Sequence, residues 1–426
     1  MMMFVIFLAL VAMVCINVPI AVALALAAVL AIFISDGGAA LVTIALDMYN
    51  GARSFSLIAI PMFVLAGAIM NATGITRRLI AFVSAVIGFV RGGLAMVNVG
   101  VSLFFAEISG SAVADVAAMG SIIIPEMKKR GYPAPFAAAI TSSSASLAII
   151  IPPSIPMILY AVAAGTSIEQ MFVAGVVPGL IGAAGLMGVA YYYAVKYNLP
   201  MEEAFNLRRL RTTFVEALPT FSLPVIILGG IFGGFVTATE GAGIAVVAAI
   251  LVGIWYREVD WGQLKQAMLE GGIQTAVVML LVAASILMGS YLTQARVPQQ
   301  LAEGILDITS NQYLILLILN VFFLVIGFFL HSAAAIILVV PVIVPLIQQA
   351  GIDPVHFGLV VTLNLAIGQQ TPPVASVLIT ACSIAKANIW EVSKANLPFV
   401  GVLLFVLFLC TYVPAVPMFL VEYFYR

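Results

Sequence analysis

Charge is scarce in this sequence. Its 426 residues hold 17 Lys or Arg and 18 Asp or Glu, 8% of the chain, against about 25% in an ordinary soluble domain. A water-soluble surface on a chain this long needs several times more, so the composition excludes a soluble enzyme. Histidine is limited to His331 and His356, which do not stand in a zinc-protease spacing. The cysteines, Cys15, Cys382 and Cys410, are isolated within apolar runs, with no C-x-x-C pair, and read as small buried hydrophobes. There is no Gly-Lys pair and therefore no Walker A loop, which removes ATP hydrolysis by that route. The net charge of −1 offers no basic face for nucleic acid.

What is abundant is hydrophobic sequence, 64% of the chain. Runs such as 19–35 and 397–412 are continuously apolar, not alternating, which fits membrane helices of roughly 20 residues and not the strands of a barrel. Residues 1–16 lack the positive segment of a signal peptide and are read as a span. The fold class expected is an all-α polytopic membrane protein of about 10–12 spans.

A shift of 220 residues superposes one half of the chain on the other: Pro125 falls on Pro345, Pro152-Pro153 on Pro372-Pro373, Pro178 on Pro398 and Gly131 on Gly351. Helix breakers are rare inside spans because each frees backbone groups that lipid cannot satisfy, so this coincidence marks an internal repeat. The halves are residues 1–195 and 221–426, joined by a linker at 196–220. Each half orders its segments alike: three apolar runs, a mixed segment (75–92; 295–310), two runs around a small polar tip (94–127; 312–349), a Pro-Pro-broken span (134–165; 355–386) and a last span. The tip-bearing segments can be two crossings or one re-entrant hairpin. Read as hairpins, they leave five crossings per half, and an odd number inverts the second half relative to the first, as in secondary transporters.

The positive-inside rule tests that orientation. With the amino terminus outside, Arg77, Arg78, Arg91, Lys128, Lys129, Arg130, Lys196, Arg208, Arg209, Arg211, Arg257, Lys265, Lys386 and Lys394 are cytoplasmic, leaving only Arg53, Arg296 and Arg426 outside. The linker is then cytoplasmic. The segments 75–92, 257–271 and 295–310 mix charge with apolar residues as interfacial helices do.

Polar groups cluster at the breaks. The first tip, Glu107 to Asp115, carries Ser109, Gly110 and Ser111, whose carbonyls and hydroxyls can ligate a cation that Asp115 compensates. Ser142, Ser143, Ser144 and Ser146 precede Ile151-Pro152-Pro153-Ser154, where consecutive prolines free carbonyls one turn earlier. The second break reads Asn364 to Pro373 through Gly368, Gln369, Gln370 and Thr371, and Asn364 takes the repeat position of Ser144. His331 and Ser332 form the second tip; His331 can titrate or serve as a hydrogen-bonded structural group. His356, beside Asp353, reads as interfacial. In the turn 229–240, Thr239 is the expected cap of the next helix, with Glu240 in its first turn.

The tip Ser109 to Asp115, the stretch Ile123 to Tyr132, the Pro-Pro break near Ser154, the turn 229–240 and Gly368 to Pro373 together resemble the large membrane subunit of tripartite ATP-independent periplasmic (TRAP) transporters, over nearly the whole chain. The resemblance implies a Na⁺-driven importer of an organic acid, of sialic acid or C4-dicarboxylate type, in the bacterial inner membrane. It implies a small four-helix membrane subunit and a periplasmic substrate-binding protein as partners, an elevator mechanism, no ATP and no enzymatic activity. Carried over by position, one Na⁺ site comprises Ser109, Gly110, Ser111, Asp115, Ile151 and Pro152, and a second comprises Ser332, Gly368, Gln370 and Thr371. The carboxylate substrate lies between the tips, near Ser111, Ser154, Gln369, Thr371 and Pro373. The alternative is H⁺-coupled transport through Asp115 and His331.

Overall fold

The structure is a computed structural model that describes residues 18–37, 41–201 and 204–425 with residues 9, 12, 13 and 16; the side chains at 36, 41 and 107–109 lie outside the description. The expected span at 1–16, Cys15 and the Ser109 side chain therefore fall largely or wholly outside it. The described chain is almost entirely helical, and eight of its helices are long and apolar enough to cross a membrane.

The first half runs through α1 (Ile20–Asp36), α2 (Leu41–Ala52), α3 (Ala59–Ala72), α4 (Ile75–Ile87) and α5 (Gly93–Ser109). The first hairpin returns through α6 (Ala112–Asp115), a π turn (Val116–Gly120) and α7 (Ser121–Lys129). The broken helix is α8 (Ala134–Ala145), a 3-10 turn (Ser146–Ile149) and α9 (Ile155–Ala164), and α10 (Ile168–Lys196) follows. In the linker region α11 (Leu207–Pro224) continues through a π turn (Val225–Gly229) into α12 (Gly230–Phe232), so much of the expected linker is the amino-terminal part of a span.

The remaining elements are α13 (Ala238–Tyr256), α14 (Trp261–Gln294), α15 (Val297–Ile308), α16 (Gln312–Phe329), α17 (Ser332–Gln349), α18 (Pro354–Gly368), α19 (Ser376–Ala385), α20 (Ile389–Tyr412) and α21 (Ala415–Tyr425). The expected interfacial segment 257–271 is not a separate helix. From Trp261 it is the first third of α14, which runs unbroken because nothing between Trp261 and Gln294 is a proline and Asp260 caps its start.

Polar caps set the boundaries. Asn206, Asn311, Asp353 and Asn388 accept amide hydrogen bonds at the starts of α11, α16, α18 and α20. Before α13 the cap is Thr237, not Thr239. Its Oγ1 accepts from the Glu240 amide at 3.3 Å while Glu240 Oε2 accepts from the Thr237 amide at 2.9 Å, the reciprocal arrangement that only a residue three before a Glu can make.

Two groups of helices emerge from the packing. In one, α14 lies along α1, α2 and α3, and α13 packs on α3. In the other, α8 is enclosed by α5, α19 and α20, α16 packs on α18, and α17 packs on α9 and α15. The mixed helix α4 rests on α11 and α5. It is anchored by Arg77 and Arg78, which donate to Glu258 Oε1 at 2.8 and 2.9 Å, while the Arg78 guanidinium stacks 3.8 Å from the centre of the Tyr256 ring.

Candidate functional site: two hairpin tips against two helix breaks

Gly110 turns the first hairpin in the left-handed region, φ 57°, which glycine adopts without steric cost. The Ile155 amide donates to its carbonyl at 3.4 Å, and a Cβ added there would sit 3.0 Å from the Pro153 oxygen. The first tip is thus pressed onto the first break. The second half makes the corresponding contact, with the Val374 amide donating to the Phe328 carbonyl at 3.3 Å. Both Pro-Pro bonds are cis.

The structure therefore brings Gly110 beside the Ile151 to Ser154 segment, as the first predicted site requires, and Asp115 stands fully buried one helical turn beyond Ser111, its amide donating to the Ser111 carbonyl at 3.0 Å. Ile151 and Pro152 are buried too. Ser154 serves the break itself, since its Oγ donates to the Ile149 carbonyl at 2.7 Å and accepts from the Met157 amide, capping α9.

At the second break, Ser332 begins α17 and is buried, and Gly368 ends α18. Thr371 Oγ1 donates to the Ile367 carbonyl at 3.1 Å, and Gln369 Nε2 to the Leu365 carbonyl at 3.4 Å. Pro373 is exposed, Thr371 half-buried, and His331 is exposed at the start of α17. The second tip and break are open where the first are closed. The Gln370 side chain turns toward the first half, donating from Nε2 to Ser146 Oγ at 2.6 Å and accepting at Oε1 from Ser143 Oγ at 2.7 Å.

Further polar contacts tie each broken helix to the first arm of its own hairpin. Ser144 Oγ donates to Asn98 Oδ1 at 3.1 Å and accepts from Ser102 Oγ at 2.8 Å; Asn364 Nδ2 donates to Asn320 Oδ1 at 2.7 Å, and Asn320 Nδ2 to Thr411 Oγ1 at 3.1 Å. Two oxygens in these layers, Ser142 Oγ and Asn364 Oδ1, are buried without a hydrogen-bond partner among the described residues. Buried acceptors of this kind are costly, about 1–3 kcal/mol each, unless something fills them. Uncharged oxygens one to two turns before a break suit a small hard cation. Among the described residues no three His, Cys, Asp or Glu side chains gather as a metal-binding group.

Sequence reasoning missed Asn98, Asn320 and Asn396, although an asparagine inside an apolar run is itself a signal. It gave no sign that His356 is packed inside the protein. That ring is buried on α18, with Nε2 2.7 Å from the Cys410 carbonyl, because α20 covers the first turn of α18. Cys382 and Cys410 are buried, as expected of small hydrophobes.

Two cavities lie between helices of the two groups. One of about 490 Å³ lies between α14 and the pair α9 and α17, with Leu57, Leu159, Ser285 and Ile337 among its lining residues. Another of about 230 Å³ lies between α3, α14 and the first hairpin, lined by Gly67, Ala114, Ala117, Glu270 and Gln274.

Paired helices around two tips, packed with two Pro-Pro-broken helices, give the described chain the fold of an all-helical, multi-pass membrane protein. The backbone resembles that of the YdaH transporter of Alcanivorax borkumensis, with a TM-score of 0.64 over 88% of each chain at 15% identity. The chain belongs to the family of the tripartite ATP-independent periplasmic transporter, DctM component, whose model matches residues 6–416. It is 38% identical over 375 residues to the C4-dicarboxylate TRAP transporter large permease protein DctM of Pseudomonas aeruginosa, covering 88% of both chains. It is 39% identical over 406 residues to the isethionate TRAP transporter permease protein DctMQ of Oleidesulfovibrio alaskensis; 95% of this chain aligns, but it spans only 64% of that relative's length. As a member of a transporter family, the protein is a permease and not an enzyme.

Proposed function

We propose that this chain is the large membrane subunit of a bacterial inner-membrane importer that takes up a small organic acid, of C4-dicarboxylate or sialic acid type, coupled to Na⁺. The observation that carries the reading is the contact of each tip-bearing segment with its own Pro-Pro break, through the Gly110–Ile155 bond at the first tip and the Phe328–Val374 bond just before the second. Broken helices present amide ends to a carboxylate and freed carbonyls to a cation.

Asp115, with the backbone of Ser109, Gly110, Ser111, Ile151 and Pro152, forms one Na⁺ site; carbonyls around Gly368, Gln370 and Thr371 with Ser332 form the other. Ser111, Gln369 and Thr371 face the substrate, whereas Ser154, engaged as a cap, supports it from behind. The halves 1–195 and 221–426 are inverted repeats about a cytoplasmic linker, and the hairpins with their broken helices move as one body against α1–α3 and α11–α14. The two cavities along α14 lie at that division and leave room for relative movement there. Delivery by a periplasmic binding protein and assembly with a small membrane subunit follow from the tripartite family.

The test is uptake by proteoliposomes containing this chain with its two partners. Uptake driven by a Na⁺ gradient and abolished by replacing Na⁺ with K⁺ is expected. Uptake that persists in K⁺ and follows a pH gradient overturns Na⁺ coupling in favour of a proton route through Asp115 and His331.

A further inference from the structure

Four polar side chains from separate segments meet at the centre of the molecule. Ser143 of α8 and Ser146 of the following 3-10 turn are wholly buried; Gln370 of the second break and Asn396 of α20 are 1% exposed. Besides its bonds to Ser143 and Ser146, Gln370 Oε1 accepts from Asn396 Nδ2 at 3.1 Å, and Ser143 Oγ lies 2.6 Å from Asn396 Oδ1. A hydroxyl carries one proton. Ser143 can therefore donate to Gln370 Oε1 or to Asn396 Oδ1, but not to both, and the cluster has two hydrogen-bond arrangements.

Its place in the chain gives that choice a consequence. The Gln370 backbone lies within the second break, its amide donating to the Ile367 carbonyl at 3.1 Å, while the Gln370 side chain grips the serine run that leads into the first. A shift of either break that rotates Gln370 must re-pair Ser143 and Asn396. Packed polar elements with two discrete arrangements are the physical form that coupling between sites takes.

We propose that the Ser143–Gln370–Asn396 cluster couples cation occupancy at the two breaks, with Ser143 and Asn396 acting as positioning residues that hold Gln370 and touch neither cation. This rests on the Na⁺-coupled reading above. Filling one site fixes Gln370 and thereby lowers the ordering cost of the other, so Na⁺ binds with positive cooperativity.

The experiment measures uptake against Na⁺ concentration in proteoliposomes of the complete three-component system. Ser143→Ala and Asn396→Ala should keep uptake at saturating Na⁺, raise the half-saturating concentration at least threefold and bring the Hill coefficient toward one. Ser143→Thr, which keeps the hydroxyl, should restore both values. Should Asn396→Ala fail to fold, the Ser143→Ala and Ser143→Thr pair carries the test alone. A wild type that is Na⁺-dependent and cooperative, with variants that share its half-saturation and Hill coefficient, overturns the coupling role. A wild type indifferent to Na⁺ overturns the underlying transport reading as well, and the two failures are told apart by that control.

Discussion

Gly327 and Gly368 meet backbone to backbone: a Cβ on Gly368 would stand 2.5 Å from the Gly327 Cα, and one on Gly327 would stand 3.0 Å from the Gly368 Cα. This is where α16 and α18 cross, just before the second break. Gly368→Ala should lower the melting temperature of the purified subunit, by a stability loss of about 1–3 kcal/mol as for other overpacked cores. Gly327→Ala should cost less. Thermal melts in detergent that rank the two the other way would contradict the contact.

At the first tip the demand is conformational as well as steric. Gly110→Ala places a side chain at positive φ, a cost of roughly 1–2 kcal/mol, and sets its Cβ against the Pro153 oxygen. Gly131→Ala meets the same kind of φ penalty with nothing within 4 Å. Gly110→Ala should therefore lose more stability than Gly131→Ala, and only Gly110→Ala should raise the half-saturating Na⁺ for uptake.

Asp115 is fully buried and belongs to the proposed first cation site. A carboxylate at such depth costs about 2.5–3.5 kcal/mol unless compensated. Asp115→Asn should leave folding intact, since the shape is kept, and reduce Na⁺-driven uptake at least tenfold at sub-saturating Na⁺. Unchanged Na⁺ dependence in that variant removes Asp115 from the cation site.

Outside the spans, the Arg78 side chain hydrogen-bonded to Glu258, aided by the charges of Arg78 and Arg77, holds the Glu258 carboxyl below the usual carboxylate range. A depressed carboxylate contributes stability above its unfolded pKa of about 4.3 and loses it as pH falls through the folded value. The anchor of α4 should thus be constant from neutral pH down to mildly acid pH and then weaken. Glu258→Gln should lower stability by no more than about 1 kcal/mol at neutral pH, since the pair is partly solvated, and should flatten the acid limb of the melting profile.

The parts of this fold legible in the sequence were those marked by breakers. The Pro-Pro pairs located both breaks, and the two apolar runs read within 312–349 are the helices α16 and α17 on either side of Leu330 and His331. What stayed hidden depends on who faces whom. Nothing in a run of serines says that Ser143 meets Gln370, 227 positions away, or that Ser144 meets Asn98. His356 looked interfacial because its neighbour is Asp353, yet α20 returns to cover it. Thr237 and Thr239 are equally good caps by type, and only the reach of Glu240 decides between them.

The unbroken course of α14 has a mechanical meaning. At about 1.5 Å per residue its 34 residues make a rod of about 51 Å, well beyond the roughly 30 Å hydrocarbon thickness of a bilayer. The equivalent stretch of the first half is interrupted between α2 and α3. The helix α14 is therefore a stiff mast that must lean or protrude into water, and the jointed pair α2 and α3 is laid along it. Helix lapses at Arg53 and Ser54, so the joint of the first half is braced by an unjointed helix of the second.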